Sequence, residues 1–340
     1  MKLKLHSSGI LKYSMIFCLL LFTSITAQDL DNKGKDFIIG FLPNLSAPTI
    51  ELHLTADANT MVTINYPVNS PTFTTTVAVA PGNVTIVSLP SSSAQSWIPS
   101  TAQNNAVRAF ADDEFVCYMI NRSTATSDAA LALPIDVMNT EYIVMTYNSI
   151  IVPQDRSEFV VFAGFDNTTV TITPKQNLVG GFAAGTSFNV ILNKGEGFLG
   201  QSTINGAAGD LTGTIISSDK PVGMSNGNLC TNVPPDITFC DHIFEVAQPV
   251  QTWGNEIYVA NLPNRPGGTI YRIAASQDNT NVMMDGVLLA NMDRGEFVES
   301  AMIPGSHVFS GDKPIYVAQY MTGDSNPNAD QGDPAMGNMI

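Results

Sequence analysis

One short phrase returns three times along the chain: Ala58-Asn59-Thr60-Met61-Val62-Thr63-Ile64, Asp166-Asn167-Thr168-Thr169-Val170-Thr171-Ile172 and Asp278-Asn279-Thr280-Asn281-Val282-Met283-Met284. From Asn59 to Asn167 to Asn279 the intervals are 108 and 112 residues. Such a period predicts one β-rich module used three times. Repetition favours a scaffold or binding surface over a single catalytic centre.

Two further landmarks follow each phrase in the same order. A glycine turn comes first, at Pro81-Gly82-Asn83, Asn193-Lys194-Gly195-Glu196 and Asp293-Arg294-Gly295-Glu296. Ser218-Asp219-Lys220-Pro221 and Gly311-Asp312-Lys313-Pro314 come next, with a looser Asp112-Asp113-Glu114 in the first copy. The spacing between landmarks varies, as it does when strands are joined by loops of free length.

With 13% charged residues and alternation such as Val170-Thr171-Ile172-Thr173, the chain reads as all-β, built of short antiparallel strands. Three related modules over 34–125, 126–245 and 246–321 are expected, sandwich-like, with propeller-like sheets as the alternative. In the second copy the strands fall at Glu141 to Tyr147, Glu158 to Gly164, Thr168 to Thr173, Ser187 to Leu192, Gly197 to Gln201, Thr212 to Ser217 and Pro221 to Ser225. Pro221 and Pro314 stand at the first residue of a strand in this reading, where a missing N–H costs least. Residues 322–340 read as a polar tail, and the third copy as shortened or cut off.

Residues 1–27 read as an export signal: Lys2, Lys4 and Lys12 precede an apolar run from Met15 to Ile25, and Ile25-Thr26-Ala27 is a cleavage site before Gln28. An uncleaved anchor is the alternative. Cys18 lies inside the run rather than at the junction, which argues against a lipoprotein. The chain carries a net charge of −15, and losing a leader with three lysines and no acid makes it more acidic. Nucleic acid is therefore a poor partner, and no later segment is long enough for membrane insertion.

Cys230 and Cys240 flank a Pro-Pro turn, which in an exported chain predicts a disulfide pinning a long loop. Zinc through Cys230, Cys240 and His242 lacks a fourth ligand. Cys117 reads as a buried apolar residue. Gly223-Met224-Ser225-Asn226-Gly227 matches G-x-S-x-G but has no following helix, so it reads as a strand ending in a glycine turn rather than a nucleophile elbow. Asp324, Asn326, Asn328 and Asp330 alternate like a calcium loop, yet Ala329 stands where glycine is expected and no bidentate glutamate follows. No cofactor is expected, calcium being the one candidate. If ligand contacts exist, the unrepeated loop and its flanks should carry them: Asn228, Asn232, Asp236, Asp241, His242 and Trp253.

Several phrases point one way together. Leu131-Ala132-Leu133-Pro134, Asp210-Leu211-Thr212-Gly213-Thr214, Ser218-Asp219-Lys220-Pro221-Val222, the stretch from Cys230 to His242, Gln251-Thr252-Trp253-Gly254, and Gln319-Tyr320 with Gly332-Asp333-Pro334 resemble the IgG-Fc-binding protein N-terminal domain family, found in mucus and in related bacterial surface proteins. The resemblance runs from about Gly34 to Met336. It implies a non-enzymatic extracellular domain, secreted or at the cell surface, associated with mucus or adhesion, and part of a longer protein; it supplies no residue set for immunoglobulin. The leader junction and lysine-poor composition look bacterial.

The leading expectation is thus a binding or adhesion module for glycoproteins or other matrix components. A secreted hydrolase of glycans or esters, using Ser225 or a carboxylate pair, is the alternative. A structural spacer of a larger surface protein is the second.

Overall fold

The computed structural model describes residues 31–45, 47–150, 155–323 and 332–339. The leader and the stretch from Asp324 to Asp330 lie outside them. The chain is nearly all β, in three sheets. The first holds β1 (Gly34–Ile39), β2 (Thr49–Thr55), β3 (Thr60–Tyr66), β4 (Phe73–Val79), β5 (Thr85–Ser88), β7 (Val107–Arg122) and β8 (Ser127–Leu131). The second holds β9 (Asn139–Ile143), β10 (Ser157–Ala163), β11 (Thr168–Thr173), β12 (Phe188–Leu192), β13 (Glu196–Gln201), β14 (Ile215–Thr231) and β15 (Asp241–Val246). The third holds β16 (Gly254–Val259), β17 (Ile270–Ala275), β18 (Thr280–Met284), β19 (Val287–Met292), β20 (Phe297–Glu299), β21 (His307–Met321) and β22 (Ala335–Met339). A short extra strand, β6 (Ala102–Asn104), leaves the first module and extends the edge of the second sheet at β13.

All three sheets share one wiring. The long strand β7, β14 or β21 pairs antiparallel with the first, second, third and last strands of its module, a hairpin off the third strand adds one edge, and a later strand returning to the second adds the other. Each long strand turns a corner at the acidic landmark. Opposite two residues of the first strand its register jumps, from Phe110 to Phe115 in β7, Ser217 to Val222 in β14 and Ser310 to Ile315 in β21. Before the corner it pairs with the first and third strands, and after it with the second and last. One sheet therefore folds over on itself into a sandwich.

The corner corrects the sequence reading in two places. Thr212 to Ser217 and Pro221 to Ser225 are not separate strands: Thr212 to Thr214 form a turn, the rest belongs to β14, and Pro221 and Pro314 sit mid-strand at the corner, where the ladder is already broken. Nor is the third module short of a strand. Ala335 to Met339 form β22, paired with β21 from Met321 to Val317.

Alternation explains which faces are buried. In β11, Val170 and Ile172 enter the core while Thr169, Thr171 and Thr173 face outward. β10 is buried throughout, because Phe159 and Val161 fill its own core while Val160 and Phe162 pack onto the first module. Apolar burial at about 25 cal/mol per Å² makes such shared cores the main adhesive between modules. A second shared core joins Ile143 and Met145 to Ile270, Tyr316 and Tyr320. Among the described residues, no helix is long and apolar enough to cross a membrane.

The repeated phrase turns out to be a turn lock. Asn167 (φ 51°) and Asn279 (φ 54°) take the left-handed conformation that asparagine tolerates best among residues with a side chain. The preceding aspartates, Asp166 and Asp278, accept from the backbone N–H of Lys194 and Arg294 at 3.0 Å. Lys220 Nζ donates to the carbonyls of Asp166 and Asn167 at 2.5 and 2.9 Å, and Lys313 to those of Asp278 and Asn279. Phrase, glycine turn and Asp-Lys landmark thus meet at one corner of each later module. The acidic landmark of the first module carries no lysine of its own, and Lys33, just before β1, pairs instead with Asp57 beside the phrase.

Candidate functional site

Between β14 and β15 the chain makes an unrepeated excursion, closed by a disulfide between Cys230 and Cys240 whose Cα atoms are 5.4 Å apart. Pairing removes both thiols from any zinc set. The loop is also tied down at Val233, whose carbonyl accepts from Gly323 N–H at 2.9 Å. Near its end Phe239 adopts φ 70°, uncommon for a residue with a bulky side chain, and leaves its ring 66% exposed. The stapled loop thus holds a large aromatic in solvent.

Beside the loop lies a pocket of about 190 Å³ lined by Asn148, Ser149, Ile150, Gly206, Ala207, Asn232 and Pro235. Ser149 Oγ accepts from Gly206 N–H at 3.0 Å, and Asn148 Oδ1 accepts from Arg272 Nη2 at 3.5 Å. Its polar lining is uncharged amides and a hydroxyl, suited to hydroxyl and peptide groups rather than ions. The pocket rests on a buried polar network. Arg272 Nη1 donates to Asp210 Oδ2 and Thr146 O, both at 2.7 Å, and its Nε to Glu299 Oε2 at 2.7 Å. The guanidinium lies 4.3 Å from the centroid of the Tyr147 ring. Burial pushes the Tyr147 phenol up, so it stays neutral.

Of the residues singled out from the sequence, Asn232 lines the pocket and Asp236 is exposed on the loop. The others are turned inward. Asn228 is fully buried, accepting from Tyr147 N–H at 2.7 Å and donating to its carbonyl at 2.8 Å, so its amide acts as one more ladder rung. Asp241 accepts from the N–H groups of Ser127 and His242 at 2.7 Å and so joins the first module to β15. His242 is buried, and burial lowers it to about 4, so it stays neutral and donates from Nδ1 to Asn228 O at 3.0 Å. Trp253 packs on Tyr316 with its Nε1 donating to Gln248 O at 3.2 Å. These four are therefore structural. Phe239, Asn148 and Ser149 escaped the sequence reading because an aromatic in a polar loop and amides in a linker carry no periodic signal.

Ser225 is no nucleophile. It lies within β14, opposite Val160 and Val246, fully buried, and its Oγ has no hydrogen-bond partner to activate it. Neither does the strand end there, as the glycine pattern suggested. Cys117 is buried as expected, and burial pushes its thiol up.

The model of the IgGFc binding protein family matches residues 128–340, which takes in the second and third modules, the disulfide loop and β22. The chain belongs to the IgGFc-binding protein family. It is 24% identical over 312 residues to the IgGFc-binding protein of Homo sapiens, a match that covers 88% of this chain and 6% of that relative. No solved structure matches it. Phe239 and the pocket residues fall inside the family match, whereas most of the first module lies outside it.

Proposed function

We propose that this family member is an exported, non-enzymatic binding module, and that it engages its ligand through the loop that carries Phe239 and lends Asn232 and Pro235 to the amide-lined pocket. The carrying observation is the exposed Phe239 ring, held at φ 70° next to Cys240 by a disulfide-closed loop. Rigid aromatics presented beside uncharged hydrogen-bonding groups lose little entropy on binding and dominate affinity. Extracellular glycoproteins or other matrix components fit this chemistry, since ring faces stack on sugars and amides bind hydroxyls. The disulfide accords with an oxidising compartment and hence with export by the basic and apolar leader.

The test is direct binding of the mature chain to a glycan array, purified mucin and an immunoglobulin Fc fragment, each compared with Phe239→Ala. A signal on mucin or glycans that drops at least about tenfold in the variant supports the reading. Binding unchanged by Phe239→Ala would move the site elsewhere, binding to Fc alone would replace the ligand class, and no binding at all would leave a structural spacer.

A further inference from the structure

The two joints between modules are built alike. In each, the third residue of a module's first strand is acidic and meets the basic residue that precedes the next module's turn glycine. Asp36 of β1, which Arg108 of its own module also bonds at 2.7 and 2.8 Å, lies 3.6 Å from Lys194, and Glu141 of β9 faces Arg294 at 3.1 Å. Two residues further on, Ile38 and Ile143 point at the following module and are 1% and 3% exposed. The segment before each long strand completes the seat. Ala106 N–H donates to Gly195 O at 3.3 Å, and a Cβ on Gly213 would stand 2.2 Å from Gly295 O.

The third module keeps the acidic residue and the strand register of that seat, with an exposed tyrosine in place of the isoleucine. Glu256 is the third residue of β16 and pairs with Ser310 as Asp36 does with Phe110 and Glu141 with Ser217. Tyr258 stands where Ile38 and Ile143 do, yet it is 72% exposed, its hydroxyl donating to Glu256 Oε1 at 2.5 Å. Ser306, just before β21, lies with Tyr258 and His307 along a groove of about 300 Å³. Val287 and Leu288 stand exposed at the start of β19 in the same module.

We propose that this outer face of β16, centred on Glu256 and Tyr258, is a third joint that receives another module of the same fold, one carrying a basic residue before its turn glycine. A second copy of this chain offering its first module is not the occupant. There the turn reads Pro81-Gly82, with no cation, and a Cβ on Gly82 would meet nothing within 4 Å. The second strand of that module also presents half-buried Glu51, His53 and Thr55 where β10 presents buried Glu158, Val160 and Phe162. The corresponding face of the first module is thus polar, and that of the third is exposed. Because a head-to-tail contact is heterologous, it continues a series rather than closing a dimer.

The test converts that polar face into the missing partner. His53→Val, Thr55→Phe and Pro81→Lys together give the first module the features of the second, and the variant is predicted to associate head to tail. Sedimentation velocity should show a concentration-dependent rise in sedimentation coefficient over wild type, lost when Glu256→Lys or Tyr258→Asp is added. A folded triple variant, judged by circular dichroism and its melting curve, that sediments like wild type overturns the proposal. So does association that survives Glu256→Lys and Tyr258→Asp. A second arm needs no variant of the first module: a cyclised peptide of residues 188–201 is titrated into the wild-type chain and followed by NMR. Shifts confined to β16 and residues 305–308, and absent with a peptide carrying Lys194→Glu, support the joint; shifts elsewhere, equal shifts with both peptides, or none sink it.

Discussion

Arg272 Nη1 donates to Asp210 Oδ2 at 2.7 Å, so a cation of the third module neutralises an acid of the second inside their shared joint. Both side chains are nearly inaccessible, at 2% and 8% exposure. Burial by itself would raise the Asp210 carboxyl, but Arg272 and the Thr212 and Thr146 donors outweigh it and hold it below the ordinary value. Replacing Arg272 by Met leaves a buried carboxylate uncompensated, an expected cost of about 3–5 kcal/mol. Urea unfolding should also show Arg272→Met with Asp210→Asn costing less than the sum of the singles. Because the folded value of Asp210 is depressed, its contribution is present above the unfolded value and fades as pH falls through the folded one. Additive losses would show the pair to be independent.

Glu158 titrates the opposite way. It is fully buried where β10 packs on the first module, and burial raises it to about 8 despite a 2.9 Å hydrogen bond from Gln201. A carboxyl with a raised folded value stabilises below its unfolded value, and that contribution is lost as pH rises toward about 8. Asp241, raised to about 7 by burial, acts in the same direction. Glu158→Gln should therefore stabilise the chain at pH 8 by about 1–3 kcal/mol and change little at pH 4. Denaturation midpoints at the two pH values check this; equal shifts at both would refute it.

Landmarks that need a particular backbone were legible in the sequence. Asn167 and Asn279 mark left-handed turns, Gly195 and Gly295 mark the second turn with φ 79°, and Lys220 and Lys313 cap the first. What misled was the Asp-Lys-Pro phrase, which has turn composition but lies at a corner inside a continuous strand, a distinction set by partners far away in sequence. β22 was illegible because Ala335-Met336-Gly337-Asn338-Met339 has no alternation and is held by its backbone ladder and by Asn338 donating to Val246 O at 2.8 Å. Burial misled at the site as well. Asn228 and His242 look like surface ligands by residue type, but their polar groups serve the backbone of neighbouring segments.

The turn lock makes a local prediction. At Asn167, with φ 51°, glycine should be nearly neutral, whereas a β-branched valine should cost about 1–2 kcal/mol. The same pair of substitutions at Thr169, which faces outward in β11, should rank in reverse, since there valine suits the strand and glycine weakens it. Thermal melts of the four variants decide the matter, and a tolerated Asn167→Val would mean that the turn is not held in the left-handed region.

Ser225→Ala separates scaffold from catalyst. The hydroxyl is buried without a partner, so its removal should be neutral or stabilising by about 1 kcal/mol. It should also leave ligand binding untouched. A measurable hydrolase activity of the wild-type chain that disappears in Ser225→Ala would overturn the structural role given to this serine.

The disulfide and Phe239 should separate stability from recognition. Cys230→Ser with Cys240→Ser opens a ten-residue link and is expected to cost about 2–3 kcal/mol by the loop-entropy account. Because Gly323 still anchors Val233, the loop base stays in place and the loss falls chiefly on the Phe239 end. Binding at the pocket should then weaken through the ordering now required of the free loop, with a less favourable entropy in calorimetry. Phe239→Ala, by contrast, deletes an exposed ring from a left-handed position and should shift the melting temperature little while losing affinity. If the cysteine pair is lost without any change in affinity, pre-organisation of this loop is not what positions the ring.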